Sequence, residues 1–335
     1  MPWNRNLEFT DPFLCQQAIQ GADVEILPTA RGRFHTGITQ IGMDTAWMQR
    51  FDVTLPQITA IGVKAGRTAI GFLTDEAQVE LRHCGNRLES GEIVIFGHDL
   101  VHQRSATALR FGTMSLASKD LSRLYAIIVG EELPQPPGRR VIRPVQASMA
   151  RLRALHKTVG NIAQDLPGLL GRTEVRRALE EKLVHAMVRC LADNSVARNN
   201  AGDGRHCVIM RRFEQFLASN ADRPLYLAEL CAAVGVPERT LRASCEQYFG
   251  MGPIRYLTLR RMHLARRALL CTEPSKASVT RVVTDHGFWE LGRFSVAYRT
   301  LFGESPSDTL RRSAEHNPAD LRRPSYLSET AMTLQ

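Results

Sequence analysis

Leu227-Ala-Glu-Leu-Cys-Ala-Ala-Val-Gly-Val-Pro-Glu-Arg-Thr-Leu-Arg242 and Val279-Thr-Arg-Val-Val-Thr-Asp-His-Gly-Phe-Trp-Glu-Leu-Gly-Arg-Phe-Ser295 decide the fold of this chain. Each reads as a short amphipathic helix, a glycine-centred turn and a second helix that opens with polar residues. That is a helix-turn-helix, and here it occurs twice. In the first, Leu227 to Val234 is the scaffold helix, Gly235 supplies the freedom of a tight turn, and Pro237 suits the start of the helix that runs from Glu238 to about Tyr248. In the second, the scaffold helix is Val279 to His286, Gly287-Phe288 make the turn, and the next helix runs from Glu290 to about Leu301. Phe288, Phe294, Tyr298 and Phe302 recur along it and are predicted to be core.

This frame places the DNA candidates. Arg239 and Arg242 fall on the outward side of the first reading helix, near its N-terminal end, where base edges are met. Arginine pairs bidentately with guanine O6 and N7. Arg293 and Ser295 are the base-facing candidates of the second helix, and Arg299 is placed for phosphate. Between the motifs a helix from Pro253 to about Leu270 carries Arg255, Arg260 and Arg261, either to line the DNA backbone or to solubilise the helix.

The block Gly287-Phe-Trp-Glu-Leu-Gly-Arg-Phe-Ser-Val-Ala-Tyr-Arg-Thr-Leu-Phe-Gly-Glu-Ser-Pro-Ser307 resembles the signature of the AraC/XylS family of bacterial transcription regulators. Leu230, Ala233, Gly235, Arg239, Leu241 and Phe249-Gly250 match the family's first motif, and the Pro253–Leu269 segment its linking helix. The resemblance implies a promoter as partner and activation through RNA polymerase. Trp289 and Leu291-Gly292 depart from the small polar residues common at the second reading helix. That departure leaves more of the sequence discrimination to Arg239 and Arg242.

Composition agrees with an anionic partner. The chain has 335 residues and a net charge of +9, and residues 205–312 hold 17 basic against 10 acidic side chains. Such a balance favours nucleic acid or an anionic surface. Seven cysteines show no C-x-x-C pair and no zinc-finger spacing, which fits reduced thiols in a cytoplasmic protein. No signal peptide and no run of about 18 apolar residues is seen.

Upstream, short β-branched segments separated by glycine and polar turns run from Glu25 to Leu116, among them Gly37–Gly42, Gln57–Val63, Gln78–Arg82 and Glu92–Phe96. They predict a sandwich or small barrel. Leu88 to His102 resembles the cupin turn-and-strand pattern, in which His98 and His102 would be the metal candidates, but the accompanying Glu ligand is not evident. An apolar pocket for a small effector is the preferred reading, with no cofactor. Two helices follow near Val145–Ala163 and Thr173–Asp193, with Thr173 as the expected N-cap. Val175, Leu179, Leu183, Ala186 and Cys190 form one apolar stripe that suits either a homodimer seam or packing on the chain's own β domain. Asn194 to Gly204 reads as a flexible hinge.

The expectation is therefore an α+β chain of two domains. Residues 1–194 form a cupin-like, β-rich sensing and dimerisation domain, helical from 141; 195–206 are a linker; 207–312 are an all-α tandem helix-turn-helix; 313–335 are an unordered tail. The function is sequence-specific regulation of transcription, controlled by a small effector or a partner, and not catalysis. Gly-x-Ser-x-Gly, His-Glu-x-x-His and Walker loops are absent from the sequence. The rivals are a cupin-type metalloenzyme fused to a DNA module, a non-specific architectural DNA binder, and a protein adaptor.

Overall fold

A computed structural model describes residues 2–75, 80–97, 99–134, 140–197, 203–220, 225–273 and 278–312. The N-terminal part begins with β1 (Trp3–Phe9), the short helix α1 (Pro12–Ala18), β2 (Ala22–Pro28), β3 (Thr36–Gly42), β4 (Trp47–Val53), β5 (Gln57–Val63) and β6 (Arg67–Leu73). It continues with β7 (Leu81–His83), β8 (Asn86–Leu88), β9 (Ile93–Phe96), β10 (Val101–Ser105) and β11 (Leu109–Ala117). Then come α2 (Ser118–Val129), β12 (Arg140–Pro144), α3 (Gln146–Asp165), α4 (Pro167–Leu170), α5 (Thr173–Ala192) and β13 (Asn194–Ala197).

Among the described residues these strands form two sheets. One has eight strands in the order β1-β3-β4-β11-β6-β9-β12-β13; the other has five, β2-β5-β10-β7-β8. Every pair is antiparallel. Side chains therefore alternate between the two faces of each sheet with period two. The sheets face each other, and their inward residues enclose a cavity. The predicted Gln78–Arg82 strand survives as β7; Gln78 and Val79 lie outside the described residues, as does His98.

Helices α2, α3 and α5 cover the outer face of the larger sheet. Leu183, Ala186 and Cys190 are buried there with Leu152 and Val159 of α3 and Met114 and Leu116 of β11. Leu179 packs against the same core, and Val175 is half-buried. The four positions predicted to dimerise, Val175, Leu179, Leu183 and Ala186, are thus occupied within the chain. The helix also turns polar groups inward. Glu180 accepts the N–H groups of Thr45 (2.7 Å) and Ala46 (2.8 Å) from the β3–β4 turn, and Arg176 pairs with Asp44 at 3.3 Å. Thr173 is not the N-cap. Arg172 takes that place: its backbone is extended (φ −78°, ψ 120°) and its carbonyl accepts the Arg176 N–H at 3.0 Å. Nor is the predicted hinge all loop: Asn194–Ala197 add β13 to the open edge of β12. Residues 198–202 of it, and the tail 313–335, lie outside the described residues.

The C-terminal part is helical: α6 (Asp203–Ser219), α7 (Leu227–Val234), α8 (Glu238–Phe249), α9 (Pro253–Cys271), α10 (Val279–Asp285), α11 (Leu291–Phe302) and α12 (Pro306–Arg312). Helix α6 begins before the predicted Cys207. Its Phe213 and Leu217 share a core with Leu230, Leu241, Tyr248 and Tyr256.

Candidate nucleic-acid interface and effector cavity

Local chemistry starts the scaffold helix of each motif. In the first motif Glu229 accepts the Tyr226 N–H at 3.1 Å and so helps start α7. In the second, Ser278 Oγ accepts the Arg281 N–H at 3.2 Å at the start of α10. Both turns pass through a glycine in the left-handed region, Gly235 at φ 75° and Gly287 at φ 75°, where a side chain would be strained. Leu230, Val234 and Leu241 are buried between α7 and α8, which leaves Arg239 and Arg242 exposed. On α11, Phe294 and Tyr298 are buried, and Arg293, Ser295 and Arg299 are exposed. Trp289, just before α11, and Val296, on it, are not among the contacts that sequence reasoning proposes; they are 75% and 70% exposed.

Two of the candidate arginines share one device. Arg242 pairs with Glu238 at 2.8 Å and Arg293 with Glu290 at 2.8 Å, each one turn earlier. Exposed pairs of this kind are worth little. They orient the guanidinium without holding it, so exchange for a base edge or a phosphate is open.

Helix α9 joins the motifs. Its 19 residues span about 28 Å. Of the phosphate candidates on it, Arg255 is exposed. Arg260 is not available: it is buried and its Nε lies 3.2 Å from Glu25 Oε1 on β2. Arg261 is half-buried with its guanidinium 5.0 Å from the Phe288 ring centroid, where it braces the second turn. Both corrections have one cause. The helix is covered on more than one side, by the β sheets as well as by the second motif, so a basic residue on it need not face solvent.

A helix-turn-helix domain family matches residues 230–312. The XylDLEGF operon transcriptional activator 2 of Pseudomonas putida is 34% identical over 117 residues, 35% of this chain and 73% of that protein. The chain belongs to the AraC/XylS family of transcriptional regulators. The probable thc operon regulatory protein of Rhodococcus erythropolis is 37% identical over 103 residues, but the match spans only 31% of its length. The AraC-like transcriptional activator CuxR, a solved structure, is 13% identical with a TM-score of 0.38, over 78% of this chain and 94% of that one.

In this AraC/XylS regulator the five-stranded sheet is a wall between two compartments. Gln57 stands opposite Ser105, and Thr59 opposite Gln103; these residues line the cavity. Their chain neighbours point the other way. Ile58 joins a core with Tyr248, Phe249 and Tyr256, and His102 and Arg104 meet the helical part directly. The cavity measures about 100 Å³ and is walled mainly by apolar groups, Phe51, Phe96 and Phe111 among them.

The outer side of the wall is charged and buried. His102 Nε2 lies 3.2 Å from Glu214 Oε1 on α6, and Tyr256 Oη donates to the same oxygen at 3.3 Å. Burial raises the Glu214 carboxyl, but His102, Arg260 and Tyr256 outweigh it and hold Glu214 below its ordinary range. The His102–Glu214 contact thus joins the two parts of the chain. Further along α9, Arg266 pairs with Asp11, the N-cap of α1, and with Glu304 at 3.2 Å. A Cβ at Gly250 would run into the Arg104 guanidinium, so this helix end docks with no room to spare. Glu25 and Glu214 had no local signal in the sequence, since their partners are far along the chain; Asp11 had one as a helix cap but none for its pairing with Arg266. Gln57 and Thr59 had one: they are the polar members of the inward parity in Gln57–Val63.

Among the described residues no helix is long and apolar enough to cross a membrane.

Proposed function

We propose that this chain is a sequence-specific DNA-binding regulator of transcription, controlled by a small molecule held between its two sheets. The observation that carries the reading is the matched pair of reading helices. Both present an exposed arginine near the N-terminal end, and one rigid helix of about 28 Å joins them, close to a single turn of duplex. Arg239, Arg242, Arg293 and Ser295 read bases; Arg255 and Arg299 grip phosphate. The P. putida relative carries the name of a transcriptional activator. Activation through RNA polymerase, in the cytoplasm and without catalysis by the chain itself, is the reading carried over from it.

Control runs through the wall. Strands β5 and β10 present Gln57, Thr59 and Gln103 to the cavity and Ile58 and His102 to the first motif, so a ligand that moves one set moves the other. A gel shift tests the DNA reading. The probe is the duplex upstream of the chain's own gene, against a scrambled duplex of the same length at one salt concentration. Binding at least a hundredfold tighter to the first is expected, within the range of specific recognition. Equal affinity for both would make the chain an architectural binder and end the proposal.

A further inference from the structure

On the reading that the cavity holds an effector, its lining describes the chemistry of that effector. None of its lining residues is Asp, Glu, Lys, Arg or His. Cys15 belongs to the lining, and burial, with Asp11 nearby, pushes its thiol up to about 12, so it stays neutral. Arg67 is held elsewhere, stacked 3.8 Å over Trp47 and donating to the Ser115 carbonyl at 2.9 Å. A carboxylate or an ammonium entering this space would give up its hydration with no counter-charge to replace it.

Of the polar atoms on residues that line the cavity, Thr36 Oγ1, Gln57 Oε1 and Gln103 Nε2 are buried without a partner, and the last two lie on adjacent strands. Gln57 and Gln103 are both buried. One hydrogen of Gln57 Nε2 goes to Thr59 Oγ1 at 3.1 Å, and Gln57 Oε1 has no partner. Gln103 Nε2 has none either. The two sit on adjacent strands, diagonal to each other in the ladder, roughly 7 Å apart. An unpaired acceptor therefore stands beside an unpaired donor, each at the cost of desolvation with nothing returned. Around them the walls are aromatic and aliphatic. About 100 Å³ is on the scale of a cavity that holds one benzene ring.

We propose that the cavity takes an uncharged, single-ring molecule bearing one carboxamide-like group, whose N–H is accepted by Gln57 Oε1 and whose carbonyl accepts from Gln103 Nε2, and that it rejects the corresponding carboxylate.

Three probes of nearly one size test this on the full chain: benzamide, benzoate and toluene, by calorimetric titration at pH 7. Benzamide should bind saturably. Benzoate should bind at least a hundredfold more weakly, as a charge with no partner requires. Toluene should fall between them. Gln57→Leu and Gln103→Leu should each weaken benzamide about tenfold and leave toluene unchanged, the size of one buried neutral hydrogen bond. Unchanged toluene binding also certifies that the variants are folded. Benzoate binding as tightly as benzamide, or benzamide no better than toluene in the unaltered chain, would overturn the ligand class while leaving the cavity as an effector site. Silence from all three would sink the effector reading with it.

Discussion

The two helix-turn-helix motifs have the same frame and different neighbours. In the first, Leu230, Leu241, Tyr248 and Phe249 share one core with Leu81, Leu88 and Val101 of the β sheets. In the second, Val282, Val283, Phe294 and Tyr298 pack with Met262, Ala265, Leu269 and Leu310, all from α9 to α12. Helix α9 belongs to both, with Tyr256 and Leu257 in the first core and Met262 and Ala265 in the second. The difference separates two tasks that the sequence repeats would suggest are shared. The first motif cannot move without disturbing the wall of the cavity. The second keeps its own core and is tied to the β part through Arg266, which holds Asp11 and Glu304 together, and through His263, which meets Pro28 and the Phe302 ring. The cavity wall is thereby packed against the first motif more closely than against the second.

The comparison breaks first, if it breaks, at the Arg260–Glu25 pair. Both side chains are about nine-tenths buried. Arg260→Leu leaves Glu25 charged and unpaired in the interface and should cost about 3–5 kcal/mol in urea unfolding. The double variant Glu25→Leu/Arg260→Leu should recover most of that. A single variant as mild as the double would mean that the first motif is not docked in this way. The same substitution at Arg293 on the second motif should change stability by less than about 0.5 kcal/mol.

DNA binding comes next in size. Arg239→Ala or Arg242→Ala should lose about 1–3 kcal/mol and relax preference at one base pair. Arg255→Ala and Arg299→Ala should weaken all duplexes alike and reduce the slope of log K against log salt by about 1. A uniform loss for Arg239 or Arg242 would move it to the phosphate class, and the first motif would lose its claim to specificity.

How far the sequence could be read follows the range of each interaction. The bounds of α7 to α11 were legible because amphipathic spacing, Pro237 and the turn glycines act within a few residues. Helix α1 carried its signal too: Asp11 caps it and Pro12 opens it. At seven residues it gave no period to read, and it was missed. The apolar stripe of α5 was seen, but its partner surface was not, since a stripe does not say what covers it. Arg260 was assigned to DNA because its type and its neighbours are basic. What buries it is Glu25, which stands 235 residues away in sequence. The pocket was expected as an apolar space, but the pairing of Gln57 with Gln103 depends on strand register, which no local pattern sets.

Acid should act on the buried imidazoles before it acts on the first motif's docking. Burial pushes the His263 imidazole on α9 down to about 4, where its Nε2 meets the Pro28 carbonyl at 3.2 Å. The ring is neutral in the fold and the unfolded chain binds the proton more readily, so stability is full above 6.5 and falls as pH drops toward 4. Glu214, held below its ordinary 4.5, has its effect lower: its contribution is present above that value and is lost as pH falls through the depressed one. Urea midpoints measured from pH 7.5 to 3.5 should therefore decline in two stages. Burial pushes the His156 imidazole on α3 down to about 4 as well, so His263→Gln and His156→Gln should each remove part of the upper stage, and Glu214→Gln the lower. A single transition unaffected by any of them would remove the interface as the acid-sensitive part.

The smallest effect sharpens the comparison from the side of the second motif. Val296 is exposed on α11 one turn after Arg293, on the side of the helix away from the buried Tyr298. An exposed valine on a reading face has one natural partner in the major groove, the 5-methyl group of thymine. Burying a single methyl is worth about 0.8 kcal/mol. Deoxyuridine placed for thymidine, one position at a time through the half of the site bound by the second motif, should lower affinity about fourfold at one position only. With Val296→Ala most of that penalty should disappear at that position, while the positions read by Arg239 and Arg242 keep theirs. A penalty that stays unchanged in the Val296→Ala chain would assign the methyl to another side chain, Trp289 being the next exposed apolar group. The absence of any methyl effect in that half would leave the second motif as a grip on the backbone, and would make the division between a sensing, reading motif and a holding one sharper than the packing alone implies.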